Sequence, residues 1–189
     1  MTKRVIDADG HICEPPALWN DYVEKRYRAD TIRVERDPDG RDWISINGKI
    51  RRNLRPAAAC LPWGMDDPGK VPTWDDILPG SYDGNARVRV LDEESIERTL
   101  LFPSLYLLAG DIDDPAVAAA SCHAYNEWIA DMCRDGEGRL SAVGIVPLQS
   151  AEAAHREVGH IAKLGLKGVC FRPERYKGLA LYDESLKPF

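Results

Sequence analysis

The chain has 189 residues, 44% hydrophobic and 30% charged, proportions of a globular protein with one ordinary core or part of a larger one. A formal net charge of −6 with no long run of one sign argues against nucleic acid or an anionic membrane as the main partner. MTKRVIDADG has no apolar stretch of signal-peptide length, no later segment approaches a membrane span, and Cys13, Cys60, Cys122, Cys133 and Cys170 lack any C-x-x-C, so reduced thiols in a cytoplasmic protein are expected.

VIDADGHICEPP opens the chain with a strand over 5–7, set by the β-branched Val5 and Ile6. PPALWNDYVEKRYR then places prolines at a helix start. Over 31–53 the period changes to alternation, punctuated by Asp39-Gly40 and Asn47-Gly48, which predicts a small antiparallel β-meander. Residues 54–82 are rich in Pro, Gly and Trp and read as a long loop.

From residue 85 the pattern becomes regular. NARVRVLDEESIE predicts a helix and RTLLFPS a strand over 99–102, stopped by Pro103. The next helix has Asp114 to cap it, Pro115 to open it and Gly136 to close it. A strand over 140–146 follows, then a helix capped by Ser150 with Gly165 just past its end. A strand over 168–171 comes next, and LYDESLKPF begins another helix. Short apolar strands alternating with helices make about four βα units of a covered parallel sheet. Two closures fit: an open doubly wound sheet, or half of an eight-stranded barrel.

Asp7, Asp9 and His11 stand at every second position, so an extended segment sends them to one face. Two carboxylates and an imidazole at a strand end need a partner if enclosed, and one divalent cation satisfies all three. Asp9 and His11 suit the metal itself, while Asp7, deeper in the strand, suits a supporting role. The competing reading is a loop-initiating Asp-Gly beside a hydrogen-bonded histidine. Glu14 fits either a group that orients a ligand or a contact at the helix entry. Arg172, ending the fourth strand, fits a clamp on a substrate carboxylate or a salt bridge to a neighbouring loop. Ser104 fits a substrate-facing hydroxyl or a turn residue beside Pro103. Trp63 and Trp74 fit a lid over a pocket or pins for the long loop. His155 and His160 are five apart, about 140° around a helix, so they do not share a face. With His123 in mid-helix, all three read as structural or surface residues.

VIDADGHICEPPALW resembles the opening of the amidohydrolase-related metal-dependent barrel family that includes aminocarboxymuconate-semialdehyde and resorcylate decarboxylases. That family ends its first strand in a ligand-x-His pair, matched by Asp9-Gly10-His11, and its Glu-Pro variant is matched by Glu14-Pro15. LLFPS, AYNEWIADMC and AVGIVPLQ…KGVCFRP also resemble it, extending the similarity along nearly the whole chain. The resemblance implies a (β/α)8 TIM-barrel fold of which this chain carries about the first four βα units, with the meander inserted after strand one. It implies a divalent metal, zinc first with manganese or iron as alternatives, and a metal-dependent decarboxylase or hydrolase acting on a small carboxylic acid. Family members complete the site with further histidines and an aspartate from strands that would follow Phe189. Two ligands are fewer than the three protein ligands of a catalytic zinc site. A second expectation stands beside the enzyme: a half-barrel inactive alone, which self-associates or pairs with a complementary C-terminal half.

Overall fold

Strand β1 spans Ile6–His11, longer than the two β-branched residues alone predict, because it pairs along its length with a strand ninety residues on. The computed structural model describes residues 5–54, 72–176 and 180–187. After β1 come three antiparallel strands, β2 (Arg33–Arg36), β3 (Asp42–Ile46) and β4 (Lys49–Arg51), in the order β2-β3-β4. Asn47 and Gly48 turn β3 into β4 with φ of 55° and 66°, the left-handed pair that a two-residue hairpin requires. β3 is buried throughout, and Ile44 and Ile46 enter the main core. Asn47 also ties this sheet to the loop near Asp111, its Nδ2 donating to the Asp111 carbonyl and its Oδ1 accepting from the Asp113 N–H.

Helix α1 covers Gly84–Glu93 and starts where the Asp83 carboxylate accepts from the Ala86 N–H at 2.6 Å. β5 (Arg98–Phe102), helix α2 (Pro115–Asp135), β6 (Leu140–Ala142) and β7 (Gly144–Ile145) follow. Helix α3 (Ala151–Leu164) and β8 (Val169–Cys170) complete the regular elements. β1, β5 and β6 form a parallel sheet in the order β1-β5-β6, and β7 pairs with β8, also in parallel. α2 lies against β6 and β7 and contributes Val117, Cys122, Tyr125, Trp128 and Ile129 to the core around Leu101 and Tyr106. A second cluster gathers Val146, Leu148, Ile161, Tyr176 and Leu186. The caps read from the sequence are present: Asp114 accepts from Ala116 N–H, and Ser150 from Ala153 N–H.

Several boundaries depart from expectation. The helix expected after Pro15-Pro16 breaks into a wide turn at Leu18–Tyr22 and a short 3-10 turn at Lys25–Tyr27. Leu18, Trp19 and Val23 are all buried, and Val23 is extended, so tertiary packing overrides helix propensity there. The strand over 140–146 is split between β6 and β7, so its two halves pair on opposite sides, with β5 and with β8. The terminal helix is a 3-10 turn, Glu184–Leu186, capped by Asp183. In the long loop, Trp63 lies outside the described residues. Trp74 sits against Tyr82 with ring centroids 5.6 Å apart, and its backbone N–H donates to Asp42, so it pins the loop to the small sheet. The expectation of reduced thiols fails at Cys13, which is buried and disulfide-bonded, whereas Cys122, Cys133 and Cys170 are free. Sequence spacing says nothing about which sulfurs the fold brings within bonding distance.

Candidate metal site at the end of the first strand

β1 and β5 run in register from Ile6 opposite Arg98 to His11 opposite Phe102, with one extra residue on β1 between Asp7 and Gly10. Such a bulge re-aims the side chains that follow it. Asp9 lies within the bulge and His11 just past it, with Asp9 Oδ1 and His11 Nε2 3.9 Å apart and the Asp9 side chain 86% exposed. His11 Nδ1 is 3.0 Å from the Pro103 carbonyl oxygen, which can only accept, so Nδ1 carries the proton. In the neutral ring Nε2 then carries the lone pair, 3.9 Å from Asp9 Oδ1. A metal-binding histidine is commonly held this way, its second nitrogen donating to a backbone carbonyl. The Ser104 hydroxyl lies 3.4 Å from the same Nδ1.

Asp7 points elsewhere. Its Oδ2 accepts from Thr99 Oγ1 at 2.8 Å and its Oδ1 from the Asp9 N–H at 3.0 Å, so it fixes the backbone that carries Asp9. Gly10 fits between these groups because it has no side chain. A Cβ there would lie 2.3 Å from Thr99 Oγ1 and 2.7 Å from Asp7 Oδ2. Gly10→Ala must therefore break the Asp7–Thr99 bond, and a loss of about 1–3 kcal/mol in urea unfolding is expected.

Glu14 is fully buried and binds no side chain of the pair. Its carboxylate accepts from the backbone N–H groups of Ser104, Leu105 and Tyr106, at 3.0, 2.8 and 3.1 Å. It thereby sets the loop after β5 that carries Ser104 past His11. Burial pushes the Glu14 carboxyl up to about 7, against the pull of those N–H donors. Its folded pKa exceeds the unfolded one, so the stabilisation linked to this proton is complete below about 4.5 and falls as pH rises to about 7. Urea midpoints measured between pH 4.5 and 7.5 should show this decline in the wild-type chain and a shallower one in Glu14→Gln.

Arg172 follows β8. Its guanidinium donates to Glu174 and lies 3.9 Å from Asp111, while its backbone N–H and carbonyl both bond the Tyr176 hydroxyl. A substrate carboxylate would have to compete with two carboxylates of the chain itself. Three supporting groups escaped the sequence reading: Thr99, the Pro103 carbonyl, and Arg87 of α1, which donates to the carbonyls of His11 and Gly80. A threonine inside the apolar run RTLLF was the available signal for the first. Nothing in the sequence marks Arg87.

No protein-family model and no curated protein matches the sequence. Solved structures do. An amidohydrolase from Mycobacterium avium subsp. paratuberculosis K-10 is 26% identical with a TM-score of 0.76, the match covering 100% of this chain and 55% of that one. IDCase of Metarhizium anisopliae is 20% identical with a TM-score of 0.64, over 99% of this chain and 47% of that one. A 5-carboxyvanillate decarboxylase from Novosphingobium aromaticivorans DSM 12444, solved with manganese, is 19% identical with a TM-score of 0.61, over 99% and 47%. The chain thus spans about half the length of the structures it matches. From end to end its fold is similar to the N-terminal half of the amidohydrolase-type barrels and their decarboxylase relatives, the family that the Asp9-Gly10-His11 strand end resembles.

Proposed function

We propose that this chain provides the first-strand metal ligands of an amidohydrolase-like barrel that decarboxylates, or alternatively hydrolyses, a small carboxylic acid. The observation that carries the reading is the pairing of Asp9 Oδ1 with His11 Nε2 at 3.9 Å, with the His11 tautomer set by Pro103. The donor set, one carboxylate oxygen and one imidazole nitrogen, fits manganese, iron or zinc. Manganese in the carboxyvanillate decarboxylase favours the first of these over zinc. A divalent cation held there supplies Lewis-acid polarisation of a substrate oxygen or an acidified water. Asp7 holds the Asp9 backbone, and Glu14 holds the loop that brings Ser104 to within hydrogen-bond range of a substrate bound beside His11. Arg172 is the second candidate substrate contact, competing with its ties to Glu174 and Asp111. Decarboxylation is preferred because 2,6-dihydroxybenzoate decarboxylase from Rhizobium and the carboxyvanillate enzyme share the fold. Two protein ligands leave the first shell incomplete, and we assign the rest to a C-terminal half of the barrel, in the same chain or a partner. A partner chain would seat against β1, where Val5 and Ile6 are 47% and 65% exposed.

Manganese titration of chelator-treated protein, followed by the electron paramagnetic resonance signal of the free ion, tests the ligand pair. Asp9→Asn and His11→Ala should each weaken binding at least tenfold. Unchanged affinity in both variants would overturn the assignment. Carbon dioxide release from a panel of hydroxybenzoates by the metal-loaded complete barrel tests the reaction.

A further inference from the structure

The outer helices carry a second constellation that shares no residue with the β1 site. His123 and Glu127 are four apart on α2 and therefore lie on one face, one turn from each other. Glu157 and His160 are three apart on α3 and share a face in the same way. The two helices pack together and these faces meet. The imidazoles of His123 and His160 stack with centroids 4.3 Å apart and planes 28° from parallel. His160 Nε2 is enclosed, with Glu127 Oε1 2.9 Å away but out of line for a hydrogen bond. One nitrogen from each ring and one Glu127 oxygen all lie within 4.8 Å of one another.

We propose that His123, Glu127 and His160 form a binding site for a divalent transition-metal ion of the zinc class, bridging α2 and α3. Two imidazoles and one carboxylate are a complete three-ligand set for zinc, with water at the fourth position. Tetrahedral donors about 2.0–2.1 Å from zinc are separated by roughly 3.4 Å, so a bound ion would draw these three atoms together from within 4.8 Å. Glu157 supplies the outer support. Its Oε2 lies 3.3 Å from His123 Nδ1, which leaves Nε2 of that ring as the ligating nitrogen, and its Oε1 accepts from Asn126 Nδ2 at 2.7 Å. A carboxylate behind a ligating histidine fixes ring orientation and raises its basicity. Without an ion, stacked imidazoles and an enclosed, unaligned Nε2 face two carboxylates. A dication supplies the missing partner for His160 Nε2. An open groove of about 480 Å³, lined in part by Tyr27, Ala119, His123, Arg156 and Glu157, reaches the His123–Glu157 edge of the constellation.

The test uses the full chain carrying Asp9→Asn and His11→Gln, which silences the β1 site, so failure here is separate from failure there. Zinc is titrated into the chelator-treated protein in competition with a chromophoric chelator, and the unfolding midpoint is read in parallel. One equivalent should bind, and saturation should raise the unfolding midpoint. Glu127→Gln should weaken binding at least tenfold, and His123→Ala with His160→Ala should abolish it. Cobalt added to the same β1-silenced chain gives a visible spectrum that reports nitrogen ligation without relying on any substitution among His123, Glu127 and His160. No zinc uptake, no cobalt spectrum, or uptake unaltered in the double-alanine variant would overturn the proposal.

Discussion

Glu14→Ala should be the most damaging single substitution in the first-strand region, destabilising the chain by on the order of 4 kcal/mol. Three backbone N–H groups converge on this carboxylate in an enclosed setting, and alanine leaves all three without an acceptor. Each unpaired buried donor costs about 1–3 kcal/mol, before the space vacated by the side chain is counted. Gln keeps one acceptor oxygen and should recover part of the loss. The loss should also reach the site, because the loop is what holds Ser104 and Pro103 against His11. Urea unfolding gives the first effect. The His11 side-chain resonances in a nuclear magnetic resonance spectrum give the second, and unchanged His11 shifts in Glu14→Ala would separate loop from site.

Asn126→Leu is expected to rank beside it, at about 3 kcal/mol or more. The Asn126 side chain donates to the Ile145 carbonyl at 2.9 Å and accepts from the Ile145 N–H, also at 2.9 Å. One amide thus pairs both backbone groups of a strand residue, as a neighbouring strand would. Asn126 also donates to Glu157, so leucine leaves three buried polar groups without their bonds while nearly conserving volume. Asn126→Asp should be intermediate: it keeps the acceptor for Ile145 N–H but loses the donor and places a second carboxylate beside Glu157. Thermal and urea unfolding of the pair measure both the size and the order of these effects.

What was legible in the sequence follows interaction range. Helices with strong local signals, such as Asp114-Pro115 and Ser150 to Gly165, are where their caps put them. The hairpin at Asn47-Gly48 is equally local, fixed by two residues that tolerate positive φ. The segment after Pro16 departs from the helix its sequence predicts because burial of Leu18, Trp19 and Val23 decides it, and burial is set by residues far away. The site divides the same way. Asp9 and His11, two residues apart, lie close together as their spacing suggests, yet nothing local reveals the bulge at Asp9 or that Glu14 reaches the loop after β5. For Arg172 the sequence leaves clamp and salt bridge open, because the approach of Asp111, far along the chain, is set only by the fold. His123 and His160 read as structural or surface residues because they stand on separate helices, and only packing of α2 on α3 brings them together.

The bonds that shape the first-strand site also set when it can exist during synthesis. His11 to Pro103, Asp7 to Thr99 and Glu14 to Ser104–Tyr106 each span 90 to 92 residues. None is a local contact, so a nascent chain shorter than about 106 residues has Asp9 and His11 but not the geometry. Closing a loop of that length is entropically slow, and contacts of high sequence separation form late. Pairing of β1 with β5 is therefore the step on which the site waits. Until it occurs, Asp9 and His11 belong to an unpaired strand whose affinity for an ion is that of a flexible peptide. On the reading proposed above, metal acquisition would follow this pairing rather than nucleate it.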